Sequence, residues 1–274
     1  MIELLSPVGD LDCLKAAVQN GADCVYFGAS NFSARAFASN FDDLELAINY
    51  AKIRGVKTNL TLNTLIKNDE FEDAYNLAKK AYELGIDAII VQDLGLATRL
   101  IKDFPDLPIH ASTQMSIHNL QGTLKLQNLG FKRVVLAREL CANEIEYICQ
   151  NSNVEIECFI HGALCISYSG QCLFSSLVGG RSGNRGKCAQ PCRLPYELVL
   201  NGNETIDKGF LLSTKDLCGL DYIPFLINAG VTSFKIEGRM KTPEYVATVT
   251  RIYRKYIDLA LSGNPYVIDE KDKK

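Results

Sequence analysis

Residues 43–62 read DLELAINYAKIRGVKTNLTL. Leu44, Ala47, Ile48 and Ala51 recur at helical spacing and form one apolar stripe, so residues 43–54 predict an amphipathic helix. Gly55 offers the left-handed conformation that closes a helix, and residues 56–62, VKTNLTL, have the character of a strand. The same order, helix then glycine then strand, returns at residues 70–84 with Gly85 and at residues 120–129 with Gly130. That rhythm belongs to a parallel α/β sheet.

Outward from this stretch, strand candidates fall at residues 2–6, 24–28, 56–62, 88–92, 108–112, 133–137, 155–160, 210–213 and 233–237. The first seven start 20 to 32 residues apart, which suits βα units closing into a TIM-like (β/α)8 barrel. A doubly wound open sheet is the second choice. Nine candidates compete for eight places, so either 155–160 or 210–213 lies outside the barrel. Residues 4–28 echo residues 211–238, with Leu-Leu-Ser, an Asp-Leu, a helix and an Asn-Gly or Ala-Gly before the next strand. The expected organisation is one barrel domain over 1–264, a cysteine-rich insertion at 161–209 and a polar tail at 265–274.

The chain has 274 residues, 47% hydrophobic and 22% charged, which excludes disordered, collagenous and low-complexity classes. No apolar run approaches the roughly 18 residues of a membrane span. The opening residues enter a strand with no basic flank or cleavage site, so the expected location is cytoplasmic. Ten cysteines in that setting point to metal binding or catalysis rather than disulfides. A net charge of −3 means that a polyanionic partner needs a local basic patch.

Four of the cysteines fall as Cys165-x6-Cys172-x15-Cys188-x3-Cys192, among Gly, Ser, Asn and Arg. Four thiolates complete a zinc site or an iron–sulfur cluster, and the absence of paired C-x2-C spacing favours iron–sulfur. Cys13, Cys24, Cys141, Cys149, Cys158 and Cys218 sit in apolar patterns and read as packing residues, though Cys218 competes with Cys192 as the fourth ligand. From Cys158 through Tyr196 there is no Asp or Glu, while Arg181, Arg185, Lys187 and Arg193 are present. These cations would stabilise an anionic cluster or contact a substrate anion.

Glu157-x-Phe159-x2-Gly162-Ala163-Leu164-Cys165, Ser169-Gly170-x-Cys172 and Arg185-Gly186-x-Cys188-Ala189-Gln190-Pro191-Cys192-Arg193 resemble the signature of peptidase family U32, the collagenase-like proteins. The resemblance extends to Leu5-Ser6-Pro7-x-Gly9-Asp10, to Ala22-Asp23-x-Val25-Tyr26-Phe27-Gly28 and to residues 234–241, FKIEGRMK. It implies a TIM-like barrel and a four-iron four-sulfur (4Fe-4S) cluster on the four cysteines. It also implies hydroxylation of pyrimidines in tRNA or rRNA using prephenate, or of a quinone precursor.

His161 lies four residues before Cys165 and is a candidate acid or base, with a structural hydrogen bond as its plainer role. His110 and Gln114 follow another strand end and read as pocket wall. Lys235, Glu237 and Arg239 alternate along the last strand, which points Lys235 and Glu237 into the barrel and sets Arg239 at the rim. A structural Lys–Glu pair competes with a catalytic role there. The fork of Arg239 suits a small dicarboxylate such as prephenate, with Arg185 and Arg193 as further substrate contacts. For the alternative, collagenase-like peptide hydrolysis, there is no HExxH or G-x-S-x-G, which leaves only a Cys165–His161 pair. A non-catalytic barrel whose metal staples the insertion is the third reading.

Overall fold

The structure, a computed structural model, describes residues 2–29, 32–34, 43–202 and 204–273. Met1 and Lys274, which end the opening stretch and the tail discussed above, lie outside the described residues. In chain order the strands are β1 (Glu3–Pro7), β2 (Cys24–Gly28), β3 (Lys57–Leu62), β4 (Ala88–Val91), β5 (Ile109–Ala111), β6 (Arg133–Val135), β7 (Glu155–Gly162), β8 (Tyr196–Leu200), β9 (Glu204–Gly209), β10 (Leu217–Cys218) and β11 (Ser233–Ile236). The helices are α1 (Leu11–Gln19), α2 (Leu44–Lys52), α3 (Phe71–Glu83), α4 (Leu94–Asp103), α5 (Leu120–Asn128), α6 (Ala142–Gln150), α7 (Phe174–Gly179), α8 (Ile223–Ala229) and α9 (Pro243–Leu261).

β1 to β7 and β11 are parallel, and β11 pairs with both β7 and β1 while β6 pairs with β7. The sheet therefore closes into the eight-stranded barrel that the strand spacing predicts. Helix starts are fixed locally: Asp10, Asp43, Asp93 and Asn119 each accept the backbone N–H three residues on. Helix ends are too, with Gly55, Gly85 and Gly130 at φ of 72°, 83° and 98°.

Alternation along each strand separates two environments. Val25, Phe27, Leu60, Ile89, Ile156 and Phe234 face the helices and pack with Leu14, Ile48 and Tyr253 in the main core. Burying one such side chain contributes about 1.5–3 kcal/mol. Inside the barrel the packing is different. Leu5, Cys24, Tyr26 and Ile90 form a small separate cluster, and charged groups fill the strand starts.

Two expectations are corrected. Residues 210–213 form no strand: Phe210 is 65% and Leu211 41% exposed, so residues 155–160 hold the barrel place, and the echo between residues 4–28 and 211–238 does not extend to a shared strand. Instead the insertion carries the antiparallel β8–β9 hairpin, turned by Asn201 and Gly202 at φ of 48° and 81°. Among the described residues no helix is long and apolar enough to cross a membrane.

Candidate active site

The barrel floor is built from charges supplied by strand starts. The Arg133 guanidinium reaches Glu3 at 2.5 Å, Glu155 at 2.7 Å and Glu157 at 3.1 Å. One layer higher, Lys235 Nζ donates to Glu157 Oε1 at 2.8 Å and lies 4.3 Å from the centre of the Tyr26 ring. Burial alone would raise the Glu157 carboxyl, but Lys235 and Arg133 overcome it and hold the group down to about 2. Lys235 does enter the barrel as expected, with Glu157 as its ion-pair partner.

Above this floor lies the mouth at the strand C-terminal ends, the face where barrels place function. Arg239 stands at this mouth but is buried there: it is 6% exposed, and its Nη1 donates to Ser33 Oγ at 2.6 Å and to Thr61 Oγ1 at 2.7 Å. Together with Lys235, Glu237, Gln114 and Arg138 it lines a small compartment of about 30 Å³. Arg138 stacks 4.4 Å over Phe159 and donates to the Ala163 carbonyl at 2.8 Å, while its buried Nε has no partner among the described residues.

The insertion folds over this mouth and brings its four cysteines to one place. Cys165, Cys172, Cys188 and Cys192 all line a cavity of about 320 Å³, whose wall shares Gln114, Arg138 and Glu237 with the inner compartment. Gly183 sits between two of them, its Cβ position 3.5 Å from Cys188 Cβ and 3.9 Å from the Cys172 carbonyl. The Gln190 N–H donates to Cys188 Sγ at 3.3 Å. Burial pushes the Cys192 thiol up, Arg193 opposes the rise, and Cys165, Cys188 and Cys172 add to it. Among the described residues no three His, Cys, Asp or Glu side chains converge tightly enough for one metal ion. Four thiols lining one cavity are a donor set of the kind that an iron–sulfur cluster or a zinc ion takes. Cys218 stands apart from the cavity, beside His161 on β10.

Other expected residues are placed differently. His161 is turned to α9, with Nδ1 3.2 Å from the Tyr253 hydroxyl and its ring 5.9 Å from Tyr245, and it does not line the cysteine cavity. Burial lowers its pKa. His110 is buried inside the barrel, and burial with the nearby Arg133 charge pulls it down to about 3. Arg185 Nη2 pairs with Glu70 at 2.5 Å and its Nη1 donates to the Leu65 carbonyl. Arg193 donates to Ser213 and to the carbonyls of Thr214 and Leu164. Arg185 thus fastens the insertion to the segment after β3, whereas Arg193 ties together parts of the connection between β7 and β11. Arg138 escaped the sequence reading because nothing in VVLAREL, residues 134–140, tells which strand-end side chain meets the insertion.

Comparison with known proteins agrees with this architecture. The chain is 44% identical over 259 residues to the 23S rRNA 5-hydroxycytidine C2501 synthase of Escherichia coli, covering 94% of this chain and 39% of the relative. It is 40% identical over 267 residues to tRNA hydroxylation protein P1 of Bacillus subtilis, covering 93% of this chain and 63% of the relative. It therefore spans 39% and 63% of these two relatives' lengths. A solved U32 peptidase superposes with a TM-score of 0.57 at 15% identity, covering 87% of this chain and 93% of that one, which supports the fold. With the family model matching residues 9–274, the chain belongs to peptidase family U32.

Proposed function

We propose that this chain supports hydroxylation of a pyrimidine in tRNA or rRNA, with a 4Fe-4S cluster held by Cys165, Cys172, Cys188 and Cys192 and prephenate as co-substrate. The observation that carries this reading is the shared wall: the four-cysteine cavity and the cationic barrel mouth have Gln114, Arg138 and Glu237 in common. The names of the Escherichia coli and Bacillus subtilis relatives support RNA hydroxylation as the reaction class. When bound, a four-thiolate cluster supplies one-electron redox chemistry.

The chain's own residues do the rest. The inner compartment of about 30 Å³ has room for one or two waters, so a dicarboxylate enters it only by one carboxylate end. Arg138 and Arg239 supply positive charge to that compartment, and the body of the molecule lies in the larger cavity. Glu237 borders both spaces and is the group assigned to hold or release a proton at the substrate. Lys235, paired with Glu157, positions the mouth from below. Peptide hydrolysis is less well supported, because the His161 ring engages Tyr253 instead of the cavity that Cys165 lines.

The test is to incubate anaerobically purified protein with prephenate and RNA lacking the modification, and to analyse the nucleosides. A 5-hydroxypyrimidine that forms only with protein and prephenate together is expected. Cleavage of a collagen peptide with no change in the RNA would overturn the proposal.

A further inference from the structure

Between Cys165 and Cys172 the chain presents an aromatic ring to the cavity. Tyr168 lines the cavity wall, yet its side chain is 63% exposed. A single exposed aromatic is ordinary. What sets this one apart is how firmly its loop is held. The Glu139 carboxylate accepts both the backbone N–H of Ser169 at 2.9 Å and its hydroxyl at 3.0 Å. The Ser116 hydroxyl donates to the Ser169 carbonyl, and Gln171 donates to Ser116 Oγ at 2.9 Å. Gly170 lies against the Gln114 carbonyl. The ring itself meets His118 edge-on at 5.3 Å, and His118 is anchored by the Ser116 carbonyl at 2.7 Å and by Glu139 at 3.1 Å.

This apparatus immobilises an aromatic ring without burying it, which stabilises the chain little and pre-orders a face for a flat ligand. Resting on the RNA-hydroxylation reading, we infer that Tyr168 is the platform on which a pyrimidine, swung out of its RNA strand, stacks as it enters the cysteine cavity. A base inside a helical stack cannot present its ring to a recessed site, and enzymes acting on bases extrude them. Extrusion forfeits stacking on neighbouring bases, and an aromatic side chain restores it for any base. The segment Cys158 to Tyr196 itself has no Asp or Glu to repel the phosphates that accompany the base, and the neighbouring Glu139 carboxylate is engaged by Ser169 and His118.

The probe is a single-stranded RNA oligonucleotide carrying a fluorescent cytidine analogue, titrated into the anaerobically purified full chain and its Tyr168→Ala and Tyr168→Phe variants. Tyr168→Phe should bind like the parent and quench the analogue equally. Tyr168→Ala should bind roughly ten- to a hundredfold more weakly and lose the quench, with iron content unchanged in both. Equal binding and quenching by Tyr168→Ala would overturn the inference alone. So would a loss confined to affinity for a small dicarboxylate, which would assign the ring to that ligand. Parent protein that binds no RNA would overturn both the inference and the RNA reading.

Discussion

The carbonyl oxygen of Gln114 occupies the space that a side chain on residue 170 would need: a Cβ built on Gly170 comes within 2.3 Å of it. Gly170 also has a φ of +75°, a conformation that side-chain-bearing residues rarely adopt. This contact joins the loop after β5 to the segment linking Cys165 and Cys172.

Gly170→Ala should therefore lower stability by more than 1 kcal/mol and also displace the two cysteines on either side. Iron content after anaerobic reconstitution, measured beside the melting temperature, checks this. A variant that keeps both parental values would show that the contact does not shape the cavity.

The Glu157–Lys235 pair is fully enclosed, so removing one partner leaves a charge with fewer neighbours in a low-dielectric interior. Lys235→Met should cost about 3–5 kcal/mol, on the order of 10 °C in melting temperature for a chain of this size. The double variant with Glu157→Gln should lose less than the two single losses added together. Strict additivity would contradict the pairing.

His110 gives a pH dependence with a definite sign. Its folded pKa of about 3 lies below the unfolded value of 6.5, so between those values the unfolded chain binds a proton that the folded chain refuses. The contribution is complete above pH 6.5 and is lost as pH falls toward 3, at up to about 1.4 kcal/mol per pH unit. Stability measured from pH 7 to 5 should decline less steeply in His110→Asn than in the parent. Parallel slopes would mean that His110 accepts its proton in the folded state.

The barrel was legible because its physics is local. A strand covered by helices must be apolar on that side, a parallel connection needs a helix, and Gly55, Gly85 and Gly130 mark where those helices stop. The β8–β9 hairpin was missed although Asn201-Gly202 is a strong turn signal, because its strands pack on no core and carry no clear alternation. Phe210-Leu211-Leu212 misled for the opposite reason, being apolar in sequence and partly exposed in the fold. In the site, the four cysteines could be read from their spacing and polar surroundings. The partnership of Glu157 with Lys235 could not, since it joins residues 78 apart in sequence through the β7–β11 pairing.

Iron and acid-labile sulfide per chain, measured after anaerobic reconstitution in the parent and in Cys165→Ala, Cys172→Ala, Cys188→Ala, Cys192→Ala and Cys218→Ala, test the central claim most directly. About four iron and four sulfide per parent chain are expected, as a four-thiolate cubane requires. Each of the first four variants should lose most of both, because three thiolates leave a labile corner, and Cys218→Ala should keep them. A colourless zinc-bound parent, or full iron in all four cavity variants, would contradict the account.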